Sequence, residues 1–88
     1  MKDAATWVPL RYYLRVQHRR AATLTLSFRQ IEAILGDGLP KAARKYPEWW
    51  ANDAAHAQAC AWLDEGWQVA EANLTEELVH FRHGAPRT

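Results

Sequence analysis

The stretch Pro47-Glu48-Trp49-Trp50-Ala51-Asn52-Asp53 sets two tryptophans side by side just ahead of an alanine-rich run. Neighbouring side chains point to opposite faces of a strand, or about 100° apart on a helix. One small core can hardly take both rings in full. Asn52 and Asp53 have the character of a helix start. The run that follows is rich in the best helix former, so the spacing predicts a helix over 53–65. Either one ring is core and the other lies under a loop, each with its indole N–H satisfied, or one ring stays exposed beside that helix.

The rest of the chain must fit around this crossing. Pro9 suits the first turn of a helix, and Leu10, Tyr13 and Leu14 follow at helical spacing, so a first helix is expected over about 9–19, after a loose start at residues 1–7. Thr23-Leu24-Thr25-Leu26 alternates like a short strand. Ser27 and Gln30 form a capping box for a second helix with the stripe Phe28, Ile31, Ile34 and Leu35, and Gly36 stops it. Leu39 to Lys45 holds one or two helical turns from Pro40, and Pro47 ends them. Ala55, Ala59, Trp62 and Leu63 face inward on the third helix, which Gly66 closes. Trp67 to Ala72 and Leu78 to Arg82 make a β-hairpin, with Trp67, Val69, Val79 and Phe81 inward, and the tail from Ala85 to Thr88 reads as loose. The expected fold is α+β: three helices, a short strand and a C-terminal hairpin in winged helix-turn-helix order. The connection over 37–52 is longer than a tight turn.

At 88 residues and 49% hydrophobic, the chain reads as one domain with an ordered core at about 8–83. No apolar run approaches the ~20 residues of a membrane helix, and the first residues lack the apolar region of a secretion signal. Cys60 is the only cysteine. A cytoplasmic protein without a membrane partner is expected. Net charge is +1, yet residues 1–45 carry nine cations against three carboxylates and residues 46–88 two against seven. The first half therefore looks like an electrostatic footprint; a dipolar surface, or a dimer that pairs the two halves, is the plainer alternative.

The pattern that runs from Leu24-Thr25 through Ser27-Phe28, Ile31-Glu32, Ile34-Leu35-Gly36 and Leu39-Pro40 to Ala43-Arg44 continues in Trp49-Trp50-Ala51-Asn52-Asp53, His56, Gln58, Ala61-Trp62-Leu63, Gly66-Trp67 and Phe81-Arg82. It resembles an uncharacterised family of small bacterial and phage domains, some of them appended to restriction-type nucleases. The resemblance implies a DNA-reading role in defence or regulation and brings no catalytic residues. Cys60 departs from it, standing where relatives often carry a longer, basic residue.

The residues themselves suggest double-stranded DNA as partner, read by sequence or by a base modification, with helix 53–65 in the major groove. Asn52, His56 and Gln58 are side chains that read base edges. A helix start also attracts phosphate, which Asp53 would repel, so Asp53 is assigned to capping. Arg29, Lys41, Arg44 and Lys45 are the candidate phosphate contacts. Arg11, Arg15, Arg19 and Arg20 either extend that surface or face away. Trp49 or Trp50 is placed to stack on a base or wall a pocket for a flipped or modified one. The acidic hairpin, with Glu71, Glu76 and Glu77, is expected to make little contact. The rival class is a protein-interaction module, an adaptor, antitoxin or inhibitor anchored by Trp49 and Trp50, or a homodimer. No nucleotide loop or zinc-protease motif is present, and Asp64-Glu65 without a nearby lysine is weak for a nuclease. The chain is thus read as a non-enzyme with no cofactor. His80 and His83, three apart on a strand, point to opposite faces, and no metal is expected.

Overall fold

The computed structural model describes residues 4–83, and the expectation for the tail after Gly84 lies outside them. A short 3-10 helix, Ala4–Trp7, leads into α1, Val8–Gln17. The loose start expected at residues 1–7 therefore needs correction at Trp7. Its ring is 3% exposed and tilts against Trp49 with centroids 5.5 Å apart. A tryptophan of that size stabilises its own segment by burial. Leu10 and Leu14 carry the inward face of α1.

Strand β1, Thr23–Ser27, runs directly into α2, Phe28–Leu35. Ser27 is the hinge between them. Its hydroxyl accepts from the Gln30 N–H at 3.0 Å, and its own N–H donates to the Gln30 side chain at 2.8 Å. This reciprocal pair satisfies two amide donors near the start of the helix. Gly36 ends α2 at φ 73°, where only glycine sits without strain. Helix α3, Lys41–Lys45, follows, then a 3-10 helix, Pro47–Trp50.

Helix α4 spans Ala57–Leu63 rather than 53–65. Asp53 is the reason. Its Oδ1 accepts from the Ala55 N–H at 2.9 Å, and its carbonyl accepts from the His56 N–H at 3.0 Å. The chain closes a turn there before the helix begins. There are thus four α-helices among the described residues, not three. Ala55 is exposed, while Ala59, Ala61 and Trp62 carry the inward face.

Strands β2, Trp67–Asn73, and β3, Leu78–His83, form the hairpin. β1 pairs with β3, giving an antiparallel sheet in the order β1-β3-β2. Leu24 lies opposite Phe81 and Leu26 opposite Val79. A bulge between Val69 and Glu71 lets the β2 edge twist.

The buried side chains form one cluster threaded by aromatic rings. Phe28 stacks on Trp50 at 5.3 Å, Trp50 on Trp62 at 6.0 Å, and Trp62 meets Phe81 edge-on at 6.0 Å. Offset and edge contacts at such spacings are the favoured geometries for aromatic quadrupoles. The buried indole N–H groups are satisfied. Trp50 donates to the Ala43 carbonyl and Trp67 to the Leu14 carbonyl, both at 2.8 Å.

Candidate functional site

The two adjacent tryptophans divide as their positions demand. Trp50 is 2% exposed. Trp49 is half-buried, with Trp7 on one side at 5.5 Å and Trp50 edge-on at 4.6 Å. Trp50 therefore offers no surface to a ligand, and Trp49 offers one flank.

Asn52 is committed to the fold. Its Oδ1 accepts from the Trp62 indole N–H and from the Val69 N–H, each at 2.9 Å, and its Nδ2 donates to the Val69 carbonyl at 3.0 Å. The amide acts as a stub of strand on the open side of β2. It caps an edge that would otherwise present free backbone groups and satisfies a buried indole.

The acidic second half and basic first half meet inside the domain. Arg15 holds Glu65 by two bonds of 3.0 Å, and Arg11 reaches Asp64 at 3.2 Å. The hydrogen bond from Arg15, with its charge beside Arg11, keeps the Glu65 carboxyl below the usual range, and Glu65 in turn raises Arg15. Arg44 donates to Glu32 at 2.8 Å and to Glu77 at 3.4 Å, and its guanidinium lies 5.5 Å from the Phe28 ring centre. Glu32 also accepts from the Leu39 N–H at 2.8 Å. Arg44 and then Leu39 hold the Glu32 carboxyl low, and Glu32 raises Arg44. Arg44 thus ties α2, α3 and the hairpin turn together. Arg29 is exposed on α2, close enough for its charge to lower Glu32 further.

A groove of about 460 Å³ is lined by Ala42, Tyr46, Glu48, Trp49, His56 and Gln58. Helix α3 supplies Ala42, the 3-10 helix supplies Glu48 and Trp49, and the turn before α4 supplies His56. Gln58 donates from Nε2 to the Trp49 carbonyl at 3.2 Å, which fixes its side chain and leaves Oε1 as an acceptor. His56 Nε2 lies 3.7 Å from Asp53. Lys41 and Lys45 are exposed one turn apart on α3, and the Lys45 ammonium sits 5.5 Å from the Tyr46 ring centre.

Of the nine residues singled out from the sequence, the groove brings together Trp49, His56 and Gln58, with Lys41 and Lys45 on the helix beside it. Arg29 lies on another helix, Arg44 is bound to carboxylates, and Trp50 and Asn52 turn inward. Tyr46 and Glu48 were missed. Tyr46 is 50% exposed. An aromatic after a run of lysines and an arginine was a usable signal, overshadowed by the tryptophan pair. Among the described residues, no three His, Cys, Asp or Glu side chains converge as metal ligands, and no helix is long and apolar enough to cross a membrane.

Helices packed on an antiparallel three-stranded sheet, around one aromatic core, define a small α+β domain. Residues 7–84 match the model of a family described as a domain of unknown function, DUF7662, and the chain belongs to that family. No curated protein and no solved structure matches it.

Proposed function

We propose that this is a double-stranded DNA-binding domain of winged helix-turn-helix type, reading sequence or a base modification in a cytoplasmic defence or regulatory setting. The order of helices and strands and the sheet order β1-β3-β2 fit that fold. The resemblance to domains appended to restriction-type nucleases would suit a DNA-reading role. The observation that carries the reading is the groove with its two exposed lysines: aromatic flanks and polar side chains in a hollow, with cations on the adjoining helix. Phosphate contacts from lysine give affinity, and the groove gives selectivity. The reading element is the segment from Lys41 to Gln58 rather than the body of α4. That helix has seven residues, and Ala57 and Cys60 on its less buried side, with Asp64 just past its end, offer no strong donor to a base edge. Binding of labelled duplex across a salt series tests this. Steep weakening with salt supports it, and no binding at low salt overturns it.

A second reading has its own observation. Val8, Tyr12 and Val16 are exposed at intervals of four residues on α1, making three of the four large exposed hydrophobics among the described residues. Such a stripe suits a protein contact, in place of an anchor at the tryptophan pair. Sedimentation over a concentration range, with and without Tyr12→Glu, tests self-association through it.

A further inference from the structure

We propose that the groove between Tyr46, Trp49 and His56 takes a single unstacked nucleobase, one that carries an exocyclic amine. The inference rests on the nucleic-acid reading above and deepens it. At about 460 Å³ the groove falls within the ~300–1,000 Å³ of small-ligand sites. Ala42 leaves room where a larger side chain would fill it. Tyr46 and the free flank of Trp49 supply aromatic surface, which every base can use through its π-face.

The polar lining is lopsided. Glu48 brings a carboxylate, which only accepts. Gln58 commits one of its two amide N–H groups to the Trp49 carbonyl, so it keeps one donor and its acceptor oxygen. His56 Nε2 lies 3.7 Å from the Asp53 carboxylate, beyond hydrogen-bond length, so the imidazole can still donate or accept at the rim. Glu48 is the one acceptor-only group of the lining, so a ligand with a donor to set against it is favoured. Cytosine and adenine present an amine where thymine presents a carbonyl oxygen. A thymine would set its oxygen against the Glu48 carboxylate and leave that carboxylate unpaired.

A cationic ligand is the other chemistry that aromatic rings and a carboxylate attract. Two features argue against it. Lys45 already lies over the Tyr46 ring, and Lys41 stands one turn away on α3. Those charges repel a cation and attract the phosphates on either side of a base. The phosphate of a nucleotide would thus lie along α3 and its base in the groove.

Anisotropy of labelled duplexes at one low salt concentration tests this. Three duplexes share one sequence: fully paired, with a single unpaired cytosine, and with a single unpaired thymine. The full chain is compared with Tyr46→Ala and Glu48→Ala, both at exposed positions, with circular dichroism verifying that each variant folds. The unpaired cytosine is expected to tighten binding about tenfold over the paired duplex, the size of one base–aromatic stack, and thymine to gain less. Tyr46→Ala removes the gain of the unpaired cytosine over the paired duplex. Glu48→Ala removes the preference for cytosine over thymine. Equal affinity for all three duplexes, with salt-sensitive binding intact, overturns the base inference alone. No binding to any duplex overturns the nucleic-acid reading and this inference with it.

Discussion

The Asn52 carboxamide oxygen lies 2.9 Å from the indole nitrogen of Trp62, a residue with no solvent exposure. The same amide closes two further bonds with the Val69 backbone. An exposed loop residue therefore holds both the largest buried side chain of α4 and the free edge of the sheet.

Asn52→Ala is expected to cost about 1–3 kcal/mol, because the indole N–H is left buried without an acceptor. Urea denaturation followed by tryptophan fluorescence measures it. Asn52→Asp keeps an acceptor for Trp62 but sets an oxygen against the Val69 carbonyl, and should fall between wild type and alanine. If Asn52→Ala leaves stability unchanged and alters only ligand binding, the residue is a contact and not a clamp.

Stability should fall in acid through Glu32 and Glu65. Both carboxyls are held below the usual range by arginine, Glu32 by Arg44 and Glu65 by Arg15. A group lowered in the folded state contributes stability that is complete above its unfolded pKa and lost as pH falls through its folded pKa. The loss therefore belongs to the acid side of the ordinary carboxylate range. Melting temperature against pH, for wild type and for Glu32→Gln with Glu65→Gln, measures it. The double variant should start lower at neutral pH and change less with acid.

Replacing Lys41 and Lys45 with alanine should leave folding within about 0.5 kcal/mol, since both are exposed. If each meets one phosphate, the slope of log affinity against log salt should shrink by about 1.8 for the pair. Arg44→Ala should do the reverse and lower stability, because it releases Glu32 and Glu77 together. A salt slope unchanged in the double lysine variant would remove α3 from the interface.

Two glycines with positive φ should respond unequally to alanine. Gly36, at φ 73°, has no atom within 4 Å of an added Cβ, so Gly36→Ala meets only the backbone strain of about 1–2 kcal/mol. Gly66, at φ 85°, would set its Cβ 2.9 Å from His18 Nε2. The His18 ring stacks on His83 at 3.7 Å, so Gly66→Ala must also disturb that pair. Thermal melts should rank Gly66→Ala below Gly36→Ala.

The features read correctly from the sequence were local ones. Ser27 and Gln30 announce a capping box within four residues, Gly36 and Gly66 mark stops, and the alternation about Val79 and Phe81 shows the hairpin. Elements that depend on distant partners were not legible. Trp7 is core because Trp49 reaches it, and nothing near residue 7 says so. Arg44 is chemically a good phosphate ligand, and only the fold brings Glu32 and Glu77 to it. Helix α4 starts late because the Asp53 side chain closes a turn, where the alanine content alone favoured an earlier start. Of the site, the sequence pointed to Trp49, His56 and Gln58, while the Tyr46 wall depended on how α3 meets the 3-10 helix.

The pairing of Arg11 and Arg15 with Asp64 and Glu65 joins positions about fifty residues apart. In the unfolded chain these groups belong to two blocks of opposite sign, net +6 over residues 1–45 and net −5 over residues 46–88. Such blocks attract before any specific contact forms, over the Debye length of ~10 Å at 0.1 M salt. The unfolded chain is then a polyampholyte, and its collapse is expected to begin as a search between complementary halves. Its refolding should slow as salt is added, even where the folded state loses little from the same salt.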